Sequence, residues 1–108
     1  MGLVDAHLHL STTNGAEEVV AMSRAMGMKL FSTSTDQMDS LSNLKLRDAH
    51  PETVSCFAGV HPSKVSITPF TEELIPLIER ADGVGEVGLD PKYSEIESGS
   101  AQHRSLFA

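Results

Sequence analysis

"GVGEVGLD", residues 83–90, sets a single carboxylate inside a run of glycines and β-forming residues. Read as a strand over Val84–Leu89, its alternation places Glu86 and Asp90 on one face, with Gly88 between them, and Val87 and Leu89 on the other. A buried acid costs free energy unless something positive meets it, so the stretch asks what lies opposite Glu86. The glycines of "GVGEVG" sit within the strand itself rather than at a strand-to-helix turn, and are not read as a dinucleotide fingerprint.

Working outward, three more apolar runs have strand character: Leu3–Leu8, Met28–Ser32 and Val54–Val60. Helical patterns separate them. Thr13 or Asn14 can cap a helix with Glu17 and Glu18 in its first turn, Val19, Met22 and Met26 at helical spacing, and Gly27 as its stop. Asp36 can cap a second helix carrying Met38, Leu41 and Leu44 and ending before Pro51. A third lies within Phe70–Ala81, where Pro76 calls for a start near Ile75 or a kink. Past Gly99, "SAQHRSLFA" opens another helix. Strand and helix alternating in this way imply parallel βα units and an α/β fold. The polar residues His7, His9, Ser34, Asp36, His61, Glu86 and Asp90 fall at or just after strand C-terminal ends. A (β/α)8 barrel keeps its site there, and a doubly wound sheet does too, so position alone leaves both open.

The chain has 108 residues and a formal net charge of −7, which argues against a basic surface for gripping nucleic-acid backbones, though not against a nucleic acid held locally by metal ions. Cys56 is the only cysteine and lies in the apolar third run, so it reads as a buried thiol in a reducing compartment. "MGLVDAHLHL" lacks the features of a signal peptide, and no segment approaches a membrane span. The expectation is a cytoplasmic protein.

"DAHLH" spaces Asp5, His7 and His9 two residues apart, hence on one face of a strand. Two imidazoles so placed can share one cation. An isolated HxH triplet favours the ordinary reading, one core histidine and one exposed. Glu86 reverses that preference. A carboxylate beside two imidazoles makes the mixed nitrogen–oxygen donor set that holds zinc or manganese in hydrolytic enzymes, and the cation offsets the desolvation of Glu86. A salt bridge to Lys or Arg is the alternative, but few basic residues stand near strand ends. For His61, in "AGVHP", spacing leaves a turn histidine and a site residue equally open. His50 and His103 read as surface residues.

Taken in order, "VDAHLHL", "FAGVHP", "VGEVGLD" and "QHRSLF" resemble the TatD family of metal-dependent deoxyribonucleases, within the amidohydrolase-like barrels. The resemblance implies the N-terminal half of a TIM-type (β/α)8 barrel, made of about four parallel βα units, with residues 1–108 as a single incomplete domain. It implies a hydrolase that cleaves phosphodiester bonds of DNA with two divalent metal ions (zinc, manganese or magnesium). His7 and His9 then ligate one metal, and Glu86 is the catalytic carboxylate bridging both. His61 faces substrate phosphate and Asp90 has a positioning role on the substrate side. Gln102 and Phe107 match a packing motif. The family's later strands add two histidines and an aspartate, which lie beyond this sequence. The expectation is therefore a chain inactive alone, which either needs its missing C-terminal half or self-associates. Two other readings stay in play: a related barrel enzyme acting on a small amide or ester, and a non-catalytic metal-binding half-barrel.

Overall fold

Val54, Cys56 and Ala58 are buried while Ser55 and Phe57 between them are half-buried, the signature of a strand with one covered face and one open face. This is β3 (Val54–Ala58). A computed structural model of the chain, describing residues 2–64, 72–90 and 92, sets it between β2 (Lys29–Thr33) and β4 (Gly83–Val84), with β1 (Val4–Leu8) beyond β2. The sheet order is β1-β2-β3-β4 and every pairing is parallel. The crossovers carry α1 (Ala16–Ala25), α2 (Gln37–Ala49) and α3 (Leu74–Arg80). Three βα units and a fourth parallel strand in sequential order fit the first half of a (β/α)8 arrangement, as expected.

The helices cover the face presented by Leu30, Ser32, Val54, Cys56 and Ala58, all buried. Leu10, Val20, Leu30 and Val54 form the main core cluster, and Val60 with Leu74 forms a second one beneath α3. On the other face the Phe31 and Phe57 rings lie 5.5 Å apart, and β1 is exposed along most of its length. The central strands β2 and β3 are thus buried on one side only, and the open face is the one a closed barrel turns inward.

Several local expectations are corrected. Gly15, whose φ of 72° suits glycine, occupies the cap position before α1, while Thr13 Oγ1 donates to the His9 carbonyl at 2.7 Å instead of capping the helix. Gly27, with φ 69°, does end it as expected. The methionine stripe of α1 is not its buried face. Met22 and Met26 are exposed, and Val20 and Ser23 point inward. In α2 the Asp36 side chain caps the helix, accepting from Asp39 N at 2.9 Å. Only Leu44 of the expected apolar series is buried. Successive steps of three retreat by about 60° on a 3.6-residue helix, so Met38 and Leu41 rotate outward. The inward face of α2 is instead polar, with Ser40 and Asn43 fully buried. α3 starts at Leu74, so Pro76 falls in the first turn, where its missing N–H has no helical partner to lose.

The largest correction is to the fourth strand, which is Gly83–Val84 rather than Val84–Leu89. Gly85 N–H still donates to Ala58 O, but the Gly85 carbonyl then accepts from Ser34 N and Glu86 N–H donates to Ser34 O. The chain leaves β4 by crossing the end of β3 and bonding to the exit of β2. Glu86 therefore lies on a crossing segment rather than in a strand, and the shared strand face inferred for Glu86 and Asp90 does not exist. Arg47 of α2 supports the approach to β4 by donating to Asp82 and to the Arg80 carbonyl. Asp82 in turn accepts from Cys56 N–H at 2.8 Å. Cys56 is buried as expected. Among the described residues no helix is long and apolar enough to cross a membrane. The helix expected at "SAQHRSLFA", with Gln102, His103 and Phe107, lies outside the described residues.

Candidate metal centre

At the C-terminal end of the sheet, His7, His9 and Glu86 each offer a ligand atom, and these atoms lie within 4.8 Å of one another. They converge by a different route from the one the strand pattern suggests. His7 is in β1, but His9 lies beyond it, at the start of the 3-10 turn Leu10–Thr12. The β1–β2 register shifts between Asp5 and Leu8. The two rings meet edge to face, with centroids 5.1 Å apart. Asp5 does not join them; its carboxylate accepts from His7 N–H at 3.1 Å.

Glu86 addresses one histidine with each oxygen: Oε1 is 3.5 Å from His7 Nε2, and Oε2 is 3.8 Å from His9 Nε2. Both separations exceed the roughly 2.7–2.9 Å of a charge-assisted hydrogen bond. They lie closer to the separation of about 3.4 Å between donors that share one tetrahedral ion at ~2.1 Å. Among the described residues the ion-pair partners of Glu86 are these two histidines, not a lysine or arginine. His9 Nδ1 lies 3.1 Å from the Thr33 carbonyl. A carbonyl only accepts, so Nδ1 donates to it, and Nε2 is the nitrogen turned toward Glu86. An imidazole fixed in this way by a backbone oxygen is the usual state of a metal-binding histidine. The donor chemistry and spacing fit a divalent ion.

The cluster stands at the rim of a concavity of about 510 Å³ on the open face, lined by Ala6, His7, Phe31, Thr33, Phe57 and Glu86 among others. His61 and Asp90 are not part of the three-ligand group. His61 begins the turn Pro62–Lys64, its N–H donating to Thr35 O at 2.8 Å. Its Nδ1 accepts from Ser63 N–H at 3.0 Å, which puts the ring proton on Nε2. Asp90 Oδ1 accepts from Lys92 N–H. His50 was expected at the surface, yet its side chain is only 17% exposed and pairs with Glu17 at 2.8 Å, tying the end of α2 to α1. Sequence reading passed over Thr33 and Asn43 and noted Ser34 only as a polar residue at a strand end; all three hold the segments that carry His9 and Glu86. Their signal was the polar run "FSTST" at the end of β2, together with polar residues at core positions of α2.

Comparison with known proteins agrees with this layout. A family model described as TatD related DNase matches residues 4–108. A curated Haemophilus influenzae protein described as an uncharacterized metal-dependent hydrolase is 33% identical over 105 residues, covering 89% of this chain and 40% of that protein. The chain thus spans well under half the length of that relative.

Proposed function

Because the chain belongs to the TatD-related DNase family, we propose that it forms the first part of a metal-dependent hydrolase that cleaves phosphodiester bonds of DNA. The observation that carries this reading is the convergence of His7, His9 and Glu86 at the strand ends of an open half-barrel. With a net charge of −7 the chain has no general basic field to hold a polyanion, so phosphate must be gripped locally.

When bound, a divalent ion (zinc, manganese or magnesium, two of them in the complete site) stabilises charge developing on phosphoryl oxygens and makes water a competent nucleophile near neutral pH. His7 and His9 would hold it through Nε2. Glu86, with one oxygen toward each histidine, would supply the carboxylate ligand. His61, protonated on Nε2, donates to a substrate phosphate oxygen, and Asp90 positions the segment after Glu86.

The test assays single-stranded and duplex DNA with manganese, magnesium or zinc, on the chain alone and with the rest of the barrel supplied in cis or in trans. Cleavage is expected only in the completed protein, and His7→Ala or Glu86→Gln should abolish it. Robust cleavage by the 108-residue chain alone would show that three ligands suffice. A completed protein that hydrolyses a small ester or amide but no DNA would shift the reading to a related barrel hydrolase. A completed protein that binds metal and hydrolyses nothing would make it a binding module.

A further inference from the structure

One buried amide holds both ligand-bearing segments. Asn43 of α2 is fully buried. Its Nδ2 donates to the Thr33 carbonyl at 3.1 Å and to Ser34 Oγ at 2.8 Å, and its Oδ1 accepts from Ser32 Oγ at 2.7 Å. Three consecutive residues at the end of β2 are thus fixed by a single side chain. Each of the three also holds a piece of the metal site. Ser32 Oγ accepts from the N–H of Leu10, the residue after His9. The Thr33 carbonyl accepts from His9 Nδ1. The Ser34 backbone exchanges two hydrogen bonds with Gly85 and Glu86, at 3.2 and 2.7 Å.

We infer that Asn43 is a positioning residue that sets the separation of His9 Nε2 from the Glu86 carboxylate, and through it the affinity and geometry of the bound ion. This rests on the metal-site reading above. His9 and Glu86 reach the site from a turn after β1 and from a segment after β4, two elements that are not neighbours in the sheet. The end of β2 bonds to both, and Asn43 orients the end of β2. A buried polar network contributes little to stability beyond what an apolar residue of similar volume would. Its consequence is a defined geometry, because each hydrogen bond admits a narrow range of distance and angle.

The experiment titrates the chain with cobalt(II), following its visible absorption, in wild type, Asn43→Ala, Ser34→Ala and Leu44→Ala. Leu44 is the adjacent residue of α2 and equally buried. Its truncation controls for a loosened core, and thermal unfolding of the metal-free proteins matches the variants for stability. Asn43→Ala should weaken cobalt binding by about 10-fold or more and shift the absorption band. Leu44→Ala should leave both unchanged in the folded protein. If Asn43→Ala does not fold, Ser34→Ala, which removes one acceptor of the amide, carries the test and should show a smaller weakening with the same shift. Binding and spectrum unchanged in a folded Asn43→Ala, or altered equally in Leu44→Ala, would overturn the inference while leaving the metal site intact. A wild-type chain that binds no cobalt would overturn the underlying metal reading and this inference with it.

Discussion

The α-carbon of Gly59 lies against the carbonyl oxygen of Glu86, where the chain leaving β4 crosses the end of β3. A β-carbon at residue 59 would sit well inside van der Waals contact with that oxygen and 3.1 Å from its carbonyl carbon. The obstructing atoms are backbone, so no side chain can swing aside. Gly59→Ala should therefore push Glu86 away from His7 and His9. Urea denaturation should show a loss of about 1–3 kcal/mol, as for other overpacked sites, and calorimetry should show weaker manganese binding. Parental stability and affinity together would mean that the crossing has slack to spare.

Glu86→Gln keeps the shape of the side chain and removes its charge. It should lower divalent-ion affinity by more than the roughly 10–100-fold that follows loss of a mere supporting partner. His50→Gln breaks the ion pair with Glu17 and should leave ion affinity as it was. Competition against a chromophoric chelator measures both. Equal losses in the two variants would place the site elsewhere.

Burial pushes the Cys56 thiol up from its ordinary 9.0 to about 11. Above pH 9 the unfolded chain gives up this proton while the folded chain keeps it, so stability should fall as pH rises from about 9 to 11 and stay flat below. Urea midpoints across that range should show the decline, and Cys56→Ala should flatten it. At pH 8 the native thiol should resist an aromatic disulfide reagent until denaturant is added. Prompt stoichiometric labelling of the native protein would contradict the burial argument.

The open face presents Val84 at 55% exposure and Val87 at 43%, beside the half-buried Phe31 and Phe57, and among the described residues no strand pairs with the outer edge of β1. Unpaired strand edges and contiguous apolar surface drive association. The isolated 108-residue chain should sediment as dimers or larger species at micromolar concentration, with Val84→Lys shifting it toward monomer. A stable wild-type monomer would show that the face is adequately solvated.

Strand–helix alternation was legible because the apolar runs are short and separated by capping residues such as Asp36 and stops such as Gly27. The grouping of His7, His9 and Glu86 was legible from residue type and order. Its geometry was not. A period-two pattern around Glu86 implies a strand, but the glycines that make this pattern also let the backbone cross β3, and that crossing depends on Gly59 from another element. In the same way, Asn43 reads as an ordinary helix residue until the polar end of β2 is packed against it. Hydrogen bonds between elements distant in sequence leave no periodic trace.

X-ray absorption on the zinc-loaded chain tests the central claim most directly. With one zinc per chain, the account predicts two imidazole nitrogens and carboxylate or water oxygen at about 2.0–2.2 Å. The imidazole signature should disappear in a His7→Ala, His9→Ala double variant. Zinc retained in that variant with the same imidazole shell, or a wild-type shell built on sulfur or on a single imidazole, would contradict a site made of His7, His9 and Glu86.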